Sequence, residues 1–129
     1  LLTITALVAA KSLIVPLQAE FFALEGLSQL MKTIDRIKVN LNPELDIRGV
    51  LLTMFDKRNK LSSEVDMEAR KFFKNKVYQT VIPRNVRLSE APSHGVPVLI
   101  YDKHSSGSKS YSSFAEEFLK QEHILESAA

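Results

Sequence analysis

Cysteine is absent from all 129 residues, so neither a disulfide nor a thiolate zinc site can form, a usage that fits a reducing compartment. Glycine is nearly as scarce, and its four copies, Gly26, Gly49, Gly95 and Gly107, stand far apart. No Gly-x-x-x-x-Gly-Lys-Ser/Thr phosphate loop, no Gly-x-Gly-x-x-Gly turn and no Gly-x-Ser-x-Gly elbow can be assembled from them. His94, His104 and His123 have no metal-ligand spacing and read as solvated or capping residues. Neither charge dominates: 17 Lys and Arg against 15 Asp and Glu leave a net +2, so any grip on a polyanion must come from local clustering. The apolar stretch from Leu1 to Ala10 has no basic leader and falls short of the roughly 20 residues a membrane span needs. It reads as the start of a helix cut out of something longer. Nothing in this inventory performs covalent or metal chemistry alone.

What is present is an ordinary globular composition, 45% hydrophobic and 25% charged, at about one domain's length. Ser12 to Gln18 is a continuous apolar run of the kind buried on both faces of a sheet. Leu27, Leu30, Met31, Ile34, Ile37 and Leu41 recur every three or four residues with charges between them, which predicts an amphipathic helix stopped near Asn42-Pro43. A second strand is expected over residues 47–55. A helix capped by Ser62 or Ser63 follows, with Val65, Ala69 and Phe72 or Phe73 inward. Residues 77–82 and 96–101 read as third and fourth strands. A last helix turns Tyr111, Phe114, Ala115, Phe118 and Leu125 inward, while Glu116, Glu117 and Glu122 read as its wet face. Alternation of this kind implies α/β architecture, with parallel strands and helices on both faces of the sheet.

Two strand ends carry the chemistry. Gly49-Val50-Leu51-Leu52-Thr53-Met54-Phe55-Asp56 runs into Lys57-Arg58-Asn59-Lys60, and Val81-Ile82-Pro83 opens into Arg84-Asn85-Val86-Arg87. Ligands in open α/β sheets bind beyond the carboxyl ends of strands, so the two loops suggest one shared site. Phe55 and Asp56 could meet a purine there, with the Pro83 ring pressed on the base and the backbone around Arg84 and Asn85 reading its edge. The bland alternative is that Pro83 merely ends a strand and Asp56 makes an Asx turn. Lys57, Arg58 and Lys60, with Arg84 and Arg87, could make sequence-independent phosphate contacts, or could simply be a solvated loop.

The pieces Ala23-Leu24-Glu25-Gly26-Leu27, Leu41-Asn42-Pro43-Glu44-Leu45, the 49–56 run with Arg58, the stretch from Val81 to Pro92, and Tyr101-Asp102 occur in an order that resembles the ParA/Soj family of chromosome- and plasmid-partitioning ATPases. The resemblance covers nearly all of residues 1–129 and implies the C-terminal portion of a deviant Walker ATPase domain. The fold it implies is part of a P-loop NTPase-type parallel sheet, with the N-terminal P-loop half missing. It further implies a cytoplasmic, nucleoid-associated parent that uses ATP and Mg²⁺, dimerises on nucleotide, coats DNA nonspecifically and answers to a ParB-type partner. In that frame Met54, Phe55, Asp56, Pro83, Arg84 and Asn85 wall the adenine pocket, and Arg58 and Arg87 contact DNA. Lys11, where an aspartate is usual, and Ser106 and Lys109 around Gly107 depart from the family pattern.

Without a phosphate cradle the chain alone is expected neither to hold nucleotide tightly nor to hydrolyse it. A rival of another class is therefore a non-catalytic DNA- or partner-binding module. A membrane-bound MinD-like relative would need a basic amphipathic tail, whereas residues 121–129 are acidic.

Overall fold

The computed structural model describes residues 1–128. Two strands, β1 (Ser12–Gln18) and β2 (Asp46–Thr53), pair in parallel from Ser12 opposite Asp46 to Gln18 opposite Thr53. Between them runs α2 (Ala23–Asn40), preceded by α1 (Leu2–Ala9) before β1. The helix α3 (Lys60–Phe73) follows β2, and α4 (Val86–Glu90), α5 (Val98–Tyr101) and α6 (Ser106–Ala128) complete the chain.

The core forms on both sides of β2 because alternate side chains of a strand point to opposite faces. Val50 and Leu52 join Val15 and Leu17 of β1 beneath Leu27, Ile34 and Ile37 of α2 and Val65 and Ala69 of α3. Leu51 faces the other way, into a second cluster with Tyr78, Ile82, Phe114 and Phe118. Helices thus cover both faces of β2. The expected three- and four-residue spacing of α2 and α3 holds, with Leu41 and Phe72 left exposed and Phe73 packed inward.

Four expectations need correction. β1 is buried on one face only: Val15 and Leu17 are covered, but Ile14 is 40% exposed because α6 reaches only as far as β2 and the third strand. The cap of α3 is Asn59, whose Oδ1 accepts from the Leu61 amide at 2.9 Å, and Ser62 lies buried one turn inside. Residues 96–101 are not a strand. Gly95 turns the chain through the left-handed region at φ 67°, and Pro97 starts the single turn α5. That turn brings Tyr101 back over α4, where its hydroxyl donates to Glu90 at 2.6 Å. Finally, α6 turns inward Phe114 and Phe118, whereas Tyr111, Ala115 and Leu125 stay exposed.

Residues 77–83 are extended beside β2 but form only isolated rungs, Val50 with Val77 and Phe55 with Pro83. The Tyr78 and Ile82 amides donate to the Val50 and Leu52 carbonyls at 3.0 and 2.8 Å. At the opposite end of the sheet, the Asn42 side-chain amide lies 3.0, 3.1 and 2.8 Å from the carbonyls of Leu7, Val8 and Ala10. Its two hydrogens are thereby shared among two carbonyls of the last turn of α1, which have no partner within the helix, and that of Ala10 just beyond it. The Asn42-Pro43 pair read as a helix stop is also a fastening.

Gly49 is required by packing. A Cβ there would sit 2.4 Å from two ring atoms of Tyr78, a side chain only 1% exposed and stacked edge-on against Phe114. Gly49→Ala is expected to cost about 1–3 kcal/mol through overpacking. A urea titration checks it, and a midpoint equal to that of the wild type would contradict the close approach.

Candidate functional site

The rung between Phe55 and Pro83 decides the geometry of the strand-end loops. The Phe55 amide donates to the Ile82 carbonyl and the Arg84 amide to the Phe55 carbonyl, each at 3.0 Å. The two segments singled out in the sequence are therefore side by side at the carboxyl end of the sheet. Between them opens a cleft of about 420 Å³, walled by Phe55, Asp56, Arg58, Pro83 and Arg84 and floored in part by Val81. The start of α6 closes it with Ser106 and Ser110. Asn85 sits next to this cleft, donating from Nδ2 to Ser106 Oγ. Met54 does not line it; its backbone lies in the left-handed region at φ 55° just before Phe55. An L-residue there is unusual, and such strain gathers where the surrounding structure dictates the turn.

Asp56 does make the Asx turn. Its Oδ1 accepts from the Arg58 amide at 3.0 Å and from Arg58 Nε at 3.3 Å. The Arg58 amide first, and then its guanidinium, hold the Asp56 carboxyl below the usual aspartate range. Its own amide donates to Ser62 Oγ at 3.3 Å, and that hydroxyl donates onward to the Ala19 carbonyl at 3.2 Å. Ser62 thus ties the loop after β2 to the residue following β1. The sequence offered a signal for it: Ser62 occupies the position three before Val65 on the inward face of α3.

The basic residues fall into two states. Arg58 is 91% exposed with only its Nε engaged, by Asp56, and Lys57 and Lys60 are exposed beside it. Arg84 pairs with Glu20 at 3.2 Å, linking the third strand end to the loop after β1. Arg87 is 51% exposed but carries two carboxylates, Glu90 at 3.0 Å and Asp102 at 3.2 Å. The Tyr101 hydroxyl, and then Arg87, hold Glu90 below the usual glutamate range. Glu90 in turn pushes the Arg87 guanidinium and the Tyr101 phenol up. The backbone around this knot is fixed by Asn85, whose Oδ1 caps α4 by accepting from the Arg87 amide at 2.9 Å.

A second hollow, about 450 Å³, lies between β1 and α2. It is slightly larger, but its walls are mainly apolar, with Phe21, Phe22 and Leu30, and its one ionisable residue is Glu20. The convergence of charge, amide and apolar ring belongs to the strand-end cleft.

A solved structure of cobyrinic acid a,c-diamide synthase from Mycobacterium smegmatis, with bound ADP and magnesium, matches with a TM-score of 0.69 and 30% identity over 92% of this chain and 42% of that one. The architecture is therefore of the P-loop NTPase α/β type. A family model described as an AAA domain matches residues 1–47. Chromosome partitioning protein ParA of Caulobacter vibrioides is 56% identical over 121 residues, covering 94% of this chain and 45% of that protein. Sporulation initiation inhibitor protein Soj of Bacillus subtilis is 55% identical over 117 residues, covering 91% and 46%. The chain belongs to the ParA/Soj family of chromosome-partitioning ATPases. It spans about half the length of the curated relatives it matches.

The lowered pKa of Asp56 has a consequence for stability. A carboxyl whose folded pKa lies below its unfolded value stabilises the fold above that unfolded value and loses the contribution as pH falls through the folded one. Asp56→Asn is expected to be less stable than the wild type at neutral pH, and the gap should narrow as pH drops below about 3.8. Denaturant midpoints across that range check it; a gap independent of pH would contradict the Asx-turn charge.

Proposed function

We propose that this chain supplies the base-holding and DNA-gripping portion of a ParA-type ATPase that partitions chromosomes. The observation that carries the reading is the Phe55–Pro83 rung, which turns two separate sequence motifs into the walls of one cleft. An adenine ring suits that cleft: the Phe55 and Pro83 rings offer apolar contact and the backbone at Arg84 and Asn85 offers polar groups to its edge. The M. smegmatis relative, solved with ADP and magnesium, supports an adenine nucleotide as the ligand class.

The fit ends at the base. No phosphate loop occurs in the sequence, and among the described residues no three His, Cys, Asp or Glu side chains gather as metal ligands. The residues present therefore do not suit Mg²⁺ or the triphosphate, and no hydrolytic step is assigned to them. ATP-dependent dimerisation, a ParB-type partner and a nucleoid-associated cytoplasmic location are proposed for a protein of the relatives' full length. No described helix is long and apolar enough to cross a membrane. A second reading, a non-catalytic DNA- or partner-binding module, draws its support from exposed Arg58 in a chain without a phosphate loop.

Two measurements on a ParA-length protein carrying this sequence test the primary reading. Pro83→Ala is expected to weaken ATP binding about tenfold, or ~1.4 kcal/mol, without altering the salt dependence of DNA binding. Unchanged ATP affinity would remove the base from the cleft. Arg58→Ala is expected to weaken binding to all DNA sequences and to flatten the log-log salt slope by about one. Arg87→Ala should flatten it less, since Glu90 and Asp102 already neutralise that guanidinium. Slopes unchanged in both variants would reject the DNA assignment.

A further inference from the structure

Residues 77–83 are out of step with β2, and the discrepancy has a specific holder. In a regular parallel ladder, advancing two residues along one strand advances two along the other. Here the Tyr78 amide donates to Val50 and the Ile82 amide to Leu52, so four residues of one segment match two of the other. Two residues are surplus, as in a bulge. The amides of the surplus residues, Gln79 and Thr80, do not reach β2. Both go to one side chain, with Gln79 donating to Glu117 Oε2 at 2.7 Å and Thr80 to Glu117 Oε1 at 2.9 Å.

Downstream the mismatch is partly reversed. From the Ile82–Leu52 bond to the Arg84–Phe55 bond, β2 advances three residues and its partner two. The extra residue falls at Thr53-Met54, where Met54 adopts its left-handed conformation. A double bulge on one strand and a single bulge on the other therefore set the height at which Phe55 meets Pro83. Glu117 is suited to hold the larger bulge because it lies between Phe114 and Phe118, on the face of α6 that packs on Tyr78 and Ile82. Its reading as a solvated helix exterior is thus corrected. One helical turn presents apolar side chains to the strand and a two-oxygen acceptor to its displaced amides, and a carboxylate accepting from backbone N–H makes the stronger kind of hydrogen bond.

We propose that Glu117 is a positioning residue: by clamping the Gln79 and Thr80 amides, it fixes the bulge that sets Pro83 and Arg84 in the wall of the cleft. The clamp stands whether or not the cleft holds a base, and its test uses no ligand. Amide hydrogen exchange, resolved by NMR on the chain as it stands, distinguishes the outcomes. Glu117→Gln preserves shape but offers one acceptor oxygen and turns an NH₂ donor toward the second amide. It should speed exchange at Gln79 or Thr80 at least tenfold and move that amide proton upfield. Glu117→Ala should do so at both, with faster exchange spreading to Phe55 and Arg84. The α2 core amides of Ile34 and Ile37 should keep their protection, and Glu116→Gln, at the exposed neighbouring position, should change none of these. Wild-type protection of Gln79 and Thr80 in both Glu117 variants would overturn the clamp. So would an equal rise at Ile34 and Ile37 in the Gln variant, which would mark a general loss of stability instead of a local hold.

Discussion

The structure depends on β2 as a shared spine. Its backbone pairs with β1 along one edge and with residues 77–84 along the other, and its side chains alternate between two hydrophobic clusters. Burying a large aliphatic side chain contributes roughly 1.5–3 kcal/mol, and Val50, Leu51 and Leu52 are all buried in succession. A strand so committed on four sides has little freedom to slide. The irregularities on its outer edge are consequently held fixed, and the cleft inherits their geometry.

Polar side chains do the work of joining the strand ends. Ser62 spans from Asp56 to Ala19, Arg84 reaches Glu20, and Asn85 both caps α4 and holds Ser106 of α6. Each connects a different pair of elements around the same opening. The walls are thus a closed circuit of hydrogen bonds and ion pairs laid over an apolar base. Exposed ion pairs in such a circuit contribute little stability by themselves, commonly under ~1 kcal/mol. Their value here is geometric, since they restrict which way each loop can lean.

Periodicity made α2, α3 and the two strands legible, because Leu27, Ile34, Ile37, Val65 and Ala69 repeat at helical spacing and β2 carries the unbroken apolar run Gly49 to Leu52. The strand-end rule places Phe55 and Asp56 beside Pro83 and Arg84, and the rung between them has the same arrangement. What failed had physical reasons. Residues 96–101 are apolar enough for a strand, but Pro97 and a left-handed Gly95 bend them into a turn, and no neighbouring edge receives them. Glu117 reads as solvated helix exterior from the sequence, since acids are mostly exposed, and only the displaced amides of Gln79 and Thr80 explain the exception. Arg87 looked free in the sequence; Asp102, fifteen positions away, could be recognised as its counter-charge only once α5 had folded back.

The fastening of α1 by Asn42 bears on how distant parts of the molecule communicate. It lies where β1 and β2 begin, whereas the cleft lies where they finish, and an eight-residue strand such as β2 spans roughly 26 Å. With Leu7 its only buried side chain, α1 has few other anchors. A push on that helix is therefore delivered to the near end of two stiff parallel rods. The far end would register it as a tilt or slide of the sheet as a whole, acting on both walls of the cleft together.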